Sequence, residues 1–191
     1  MKEQLSRFIS KSIWVAIILF AIRCAISWKD LAENASLYNL YGFAGEAIGM
    51  TAILMAAYER FLWQFMPFED VPVLRKVYTG TIKSSYDNLA RKATLRIKQS
   101  LLSVHVTLIT QESRSQSLSA SIDEILGEKQ LTYCYLNTPK SKVRHRNEVH
   151  YGTAMLCVEN PNRLTGRYYT DRKTIGDMEF SAKQADSVGY S

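Results

Sequence analysis

Between Thr110 and Arg172 the sequence sets hydroxyl, amide, imidazole, phenol and guanidinium groups at spacings that can bring them to one place. The stretch "YLNT" holds Tyr135 and Asn137, "HYGT" begins at His150, and "RYYTDR" holds Tyr168, Thr170 and Arg172 at every second position. Thr110, Ser113 and Ser115 lie around the turn-like "QES". Residues two apart on a strand point to the same face. The chemistry on offer is recognition rather than turnover: guanidinium for phosphate, hydroxyl and amide for base edges, phenol rings for stacking. Taken together, these groups describe a pocket for a nucleotide. Taken singly, each has a plainer role. Arg172 can pair with Asp171, His150 can sit against a backbone carbonyl, and the tyrosines can be barrel filling.

The charge distribution points the same way. Of the 24 Lys and Arg and 18 Asp and Glu, residues 1–71 carry six against seven and residues 72–191 carry eighteen against eleven, so the excess of +6 belongs to the C-terminal part. Much of it sits in "TPKSKVRHRNEV" (138–149), where Lys140, Lys142, Arg144 and Arg146 face only Glu148. An anionic partner is expected there. Enzymatic function is not: the three histidines, His105, His145 and His150, come with no paired carboxylates, nucleophile–base pair or phosphate loop. The three cysteines, Cys24, Cys134 and Cys157, are odd in number and have no metal-ligand spacing, which fits a reducing compartment and no metal.

The elements that must position these groups are strands. From residue 75 onward, period-two alternation and β-branched residues predict strands at about 75–85, 91–99, 101–111, 114–125, 129–138, 149–158, 164–171 and 174–182. The second and third meet without a clear turn. Eight consecutive short strands with tight turns predict an all-β domain, a small eight-stranded up-and-down antiparallel barrel of lipocalin-like form, over 75–185. Arg96, Lys98, Lys83 and Arg167 fall at outward positions, which excludes a lipid-facing barrel. Alternate connections of a meander lie at opposite ends, so Arg91, Arg114, Arg144, Arg146 and Arg172 collect on one rim. That rim is opposite the end where the chain enters, and it faces a soluble anion rather than headgroups. Cations on a rim rather than along a strand face disfavour DNA or RNA. One row admits two readings: Ser113, Ser115, Ser117, Ser119 and Ser121 share a side, either as a solvated face or as a ladder of hydroxyls within the cavity.

Residues 1–66 predict a two-helix transmembrane hairpin, with helices at about 12–28 and 40–63, a linker at 67–74 and a tail at 186–191. Lys2, Arg7 and Lys11 precede the first span and Arg60, Arg75 and Lys76 follow the second, whereas the loop offers Lys29 against Asp30 and Glu33. The positive-inside rule then puts both termini in the cytoplasm of a multi-pass membrane protein. Arg23 and Glu46 reach similar depth and are expected to pair within or between chains, with snorkelling of Arg23 as the rival. Gly45 and Gly49 permit close helix approach.

The stretches "SRSQS" (113–117), "LTYCYLNTP" (131–139), "HYGTAML" (150–156) and "LTGRYYTDRKTIG" (164–176), following two N-terminal membrane helices, resemble the CD-NTase-associated protein 15 family. The resemblance implies a membrane effector of a bacterial CBASS anti-phage system. Its barrel senses a cyclic dinucleotide from a partner nucleotidyltransferase, with no cofactor beyond that activating ligand. Binding then drives self-association, and the helices act on membrane lipids to disrupt the inner membrane. The rival reading is a membrane-tethered lipocalin-like carrier of a small apolar ligand, which the polar mouth residues count against.

Overall fold

A computed structural model describes residues 2–29 and 37–182. Residues 30–36 of the predicted hairpin loop, and the predicted tail at 186–191, lie outside the described residues. The chain forms two compact units: a helical one reaching Glu69 and including Ser100–Leu102, and a second from Asp70 onward.

The helical unit contains α1 (Lys2–Ile26) and α2 (Leu37–Ala57). α1 starts ten residues before the expected boundary. The polar first turns are good helix formers, and Arg7 pairs with Glu3 one turn earlier at 2.7 Å. α2 runs on through a π-helical turn, Tyr58–Leu62, and a 3-10 turn, Trp63–Phe65, before Pro67 ends it. Two segments, Glu3–Ile26 and Leu37–Phe65, are long and apolar enough to cross a membrane. α2 buries Ala47, Thr51 and Met55, an i, i+4, i+8 stripe. Arg23 Nε donates to Glu46 Oε2 at 2.6 Å, so the charges pair within one chain. The Arg23 guanidinium also lies 4.3 Å from the Phe43 ring centre and bonds the Ser27 hydroxyl. Near the other end of the hairpin, Glu69 accepts from both Lys11 Nζ and the Tyr58 hydroxyl, and Lys11 stands 4.8 Å from the Phe68 ring centre.

The second unit is a closed barrel of eight antiparallel strands in chain order: β1 (Val77–Ser84), β2 (Ala90–Gln99), β3 (Val104–Thr110), β4 (Ser113–Ile125), β5 (Glu128–Pro139), β6 (His150–Asn160), β7 (Arg163–Thr170) and β8 (Ile175–Ala182). β1 closes onto β8, with Tyr78 opposite Ala182 and Ser84 opposite Gly176, so no long edge remains. The uncertain second junction is a bend at 100–103, which shortens the third strand to begin at Val104.

The interior is divided by height. Toward the end where the chain enters β1, it is filled by Tyr78, Leu95, Ile97, Leu131, Tyr133, Leu156, Leu164, Met178 and Phe180, each no more than 3% exposed. Tyr78 seals that end by donating to the Pro161 carbonyl at 2.7 Å and accepting from the Arg75 N–H at 2.9 Å. Eight strands enclose just enough room for side chains to fill, so small or polar residues toward the other end leave a hollow.

The serine row is not one face. The β4–β5 register shifts between Ser117 and Ser119, a bulge that leaves Leu118 exposed. An extra residue reverses the alternation beyond it. Ser113 and Ser115 are buried, whereas Ser119 is exposed and Ile122 takes a core position. Ser117 has a backbone duty: its hydroxyl accepts the Val106 N–H at 2.9 Å, beyond the last β3–β4 pair at Thr107 and Gln116.

Candidate ligand-binding cavity

The hollow is a cavity of about 360 Å³ in the barrel mouth, at the end formed by the β1–β2, β3–β4, β5–β6 and β7–β8 connections. That volume lies in the range of small-molecule sites. Alternation explains its lining. Ile82 and Ser84 on β1, Leu108 and Thr110 on β3, Ser113 and Ser115 on β4, and Tyr135 and Asn137 on β5 are inward positions at the mouth ends of their strands.

Three guanidinium groups edge the mouth, each held by a neighbour. Arg91 binds Asp87 through both nitrogens, one at 3.0 Å. Arg146 Nη2 meets Glu112 Oε1 at 2.5 Å, and Arg172 Nη1 donates to Asn147 Oδ1 at 3.1 Å. The Arg91 hydrogen bonds, helped by the Leu89 N–H, hold the Asp87 carboxyl at about 2, below the usual range. The Asp87 bond in turn raises Arg91. The basic connection is partly ordered by a 3-10 turn at Ser141–Val143 and by the Lys140 N–H, which donates to the Glu112 carbonyl at 2.8 Å.

The walls are polar. The Thr110 hydroxyl accepts the Glu112 and Ser113 N–H groups at 3.2 and 3.0 Å, shaping the β3–β4 turn. Thr170 does the same for the β7–β8 turn, accepting the Thr174 N–H at 3.3 Å and bonding its hydroxyl at 2.6 Å. Asn137 Nδ2 donates to Ser113 Oγ at 3.3 Å, and Asn137 Oδ1 is buried without a partner. His150 Nδ1 lies 2.9 Å from the Glu148 carbonyl.

The two tyrosine rings lie across glycines. A Cβ on Gly152 would stand 2.4 Å from Tyr135 Cζ, and one on Gly176 would stand 2.4 Å from Tyr168 Cε1. Glycine at these register positions therefore makes room for the rings inside a crowded barrel. Burial first, then the Tyr168 and Asp171 charges, push the Tyr135 phenol upward, so it stays a neutral donor.

Thr110, Ser113, Ser115, Tyr135, Asn137, His150, Tyr168, Thr170 and Arg172 all line the cavity, as do Arg91 and Arg146. Arg114 and Arg144 do not: both are exposed, Arg114 because it falls between two inward serines on β4 and Arg144 because it caps the 3-10 turn. Several lining residues were not singled out. Ser84 and Ile82 share the alternation that selected the others, whereas Tyr86 and Asn147 come from connections, whose paths periodicity does not describe. In the helical unit, Gly42, Gly45 and Gly49 have nothing within 4 Å of a Cβ added there, so the glycine face of α2 is not the face that packs within the chain.

Two comparisons bear on this geometry. The chain is 27% identical over 189 residues to CD-NTase-associated protein 15 of Staphylococcus schleiferi, covering 93% of this chain and 97% of the relative. The family model described as "Cap15, cyclic dinucleotide receptor domain" matches residues 70–182, a span that begins just before the barrel and ends with β8. A full-length relative and a match covering every strand of the barrel leave one assignment: the chain belongs to the Cap15 family.

Proposed function

We propose that the barrel is a receptor for a cyclic dinucleotide and that the helical unit is its output at a bacterial inner membrane, within a CBASS anti-phage response. The observation that carries this reading is the cavity mouth, where Arg91, Arg146 and Arg172 surround a wall of hydroxyl, amide and phenol groups. Two phosphates find cations there, bases find hydrogen-bonding groups and aromatic faces, and the bottom of the barrel is closed by apolar packing. An apolar carrier has no use for such a mouth.

Ligand binding neutralises or re-pairs the rim charges and orders the 138–149 connection. Barrels then associate, and the tethered helices reach a high local concentration in the membrane. Both termini lie in the cytoplasm, as the flanking cations favour. The ligand comes from a partner nucleotidyltransferase.

The test is titration of the full chain in nanodiscs against a panel of cyclic dinucleotides. Binding to at least one is expected, and Arg172→Ala weakens it by about 1.5–3 kcal/mol through loss of a charge-assisted contact. Absence of binding across the panel overturns the reading. An unaffected Arg172→Ala removes only Arg172 from the site.

A further inference from the structure

We infer that the outer face of β2 docks the barrel onto anionic phospholipid headgroups; this rests on the reading above that the helical unit works in a membrane. β2 turns Lys92, Thr94, Arg96 and Lys98 outward, because Ala93, Leu95 and Ile97 between them are buried in the core. The three cations are exposed and spread over about 20 Å of strand.

The row is unbalanced. Its outward neighbours are Val77, Thr79 and Thr81 of β1 on one side and His105, Thr107 and Ile109 of β3 on the other. None is a carboxylate; acids first appear beyond β1, as Asp177 and Glu179 of β8. Lys92, Arg96 and Lys98 accordingly have no ion-pair partner among the described residues. Elsewhere on the barrel, Arg163 and Arg167 each lie 3.6 Å from a carboxylate, of Glu159 and Asp177, and Lys129 lies 2.6 Å from Glu124. Like charges left unanswered in one row repel one another, a cost that a negative surface outside the chain removes.

Two features select headgroups over a nucleic acid. Only residues 66–76 separate Phe65, the end of the second apolar segment, from Val77, the first residue of β1. The chain therefore holds Val77, and with it Arg96 on the facing strand, within about 40 Å of the membrane. Basic groups kept that near are drawn to anionic lipid, and the tether removes the cost of the encounter. The second feature is what lies between the cations. Thr79, Thr81 and Thr94 offer hydroxyls to phosphate beside the ammonium and guanidinium groups, and the three rows hold no aromatic ring on which a base could stack.

The test reads lysine reactivity on the full chain in nanodiscs of phosphatidylcholine, alone or mixed with an equal part of phosphatidylglycerol. After brief acetylation and peptide mass spectrometry, Lys92 and Lys98 are expected to react at least about threefold more slowly in the anionic discs, a difference lost at about 0.5 M salt. Lys129 and Lys173, away from β2, react alike in both. Arg96→Glu is expected to abolish the protection. Equal rates at Lys92 and Lys98 in the two discs, equal slowing of every lysine, or protection that survives Arg96→Glu overturns the inference and leaves the receptor and membrane readings standing. Protection by duplex DNA in the uncharged discs, with none from phosphatidylglycerol, gives the row to a nucleic acid and overturns it as well. A chain that does not incorporate into discs overturns the membrane reading, and the inference with it.

Discussion

Arg146 reaches across 34 residues of sequence to Glu112, closing an ion pair at 2.5 Å that ties the basic β5–β6 connection to the β3–β4 turn. Both residues line the cavity, so a phosphate entering the mouth competes with Glu112 for the guanidinium. An exposed pair of this kind is worth about 0–1 kcal/mol, too little to hold the connection against a ligand anion. Glu112→Gln removes the competitor and is expected to tighten ligand binding by roughly two- to fivefold, whereas Arg146→Ala weakens it. Isothermal titration of the two variants beside wild type checks the order. Weaker binding by Glu112→Gln would mean that the pair orders the connection for the ligand instead of competing with it.

Asp87 and Arg91 make a second rim pair with a clear pH signature. The folded carboxyl is depressed to about 2, so whatever the pair contributes is fully present above the ordinary carboxylate value and fades only as pH falls through about 2. The pair therefore stays intact throughout the physiological range. A carboxyl titration by NMR is expected to put Asp87 near 2, and Arg91→Ala is expected to return it to roughly 4. An unchanged midpoint in the variant would assign the depression to the Leu89 N–H bond alone.

Gly152 tests the crowding argument. An added methyl meets Tyr135 Cζ and its hydroxyl at 2.4 Å and the Tyr169 backbone carbonyl at 2.7 Å. The ring can turn, but the carbonyl is fixed in the β6–β7 ladder. Gly152→Ala is expected to destabilise the barrel by about 1–3 kcal/mol and to displace Tyr135 from the cavity wall. Thermal melts and ligand titration together measure this. A stable variant with full affinity would show that the strand relaxes more easily than its contacts suggest.

The exposed glycine face of α2 bears on output. Gly45 and Gly49 have open space around them, so leucines there leave the α1–α2 packing and the Arg23–Glu46 pair in place. Gly45→Leu/Gly49→Leu is expected to leave ligand affinity unchanged but to reduce ligand-induced dye release from liposomes severalfold, because close helix approach between chains is blocked. Crosslinking with and without ligand runs alongside. Full dye release with a crosslinking pattern that ignores ligand would place the signal within one chain.

The strand pattern, the eightfold meander and the pairing of Arg23 with Glu46 could be read from residue order, because each depends on local periodicity or on depth along a helix. The inward rows could be read for the same reason: once Tyr135, Asn137, Tyr168 and Thr170 sit on strands, two-residue alternation decides their side. Alternation fails where an extra residue enters. The bulge at Leu118 turned the serine row over midway, and nothing in "SQSLSAS" announces it. Connections were equally silent. That Glu112 would meet Arg146, that Asn147 would hold Arg172, and that Arg144 would turn away depend on how the β5–β6 connection folds back over the mouth. Tertiary structure alone also decided which roles were shared. Thr110 and Thr170 serve turns as well as the wall, and Asn137 is left with a buried bare oxygen. A hydrogen bond has one geometry, and its partner is known only once both strands are in register.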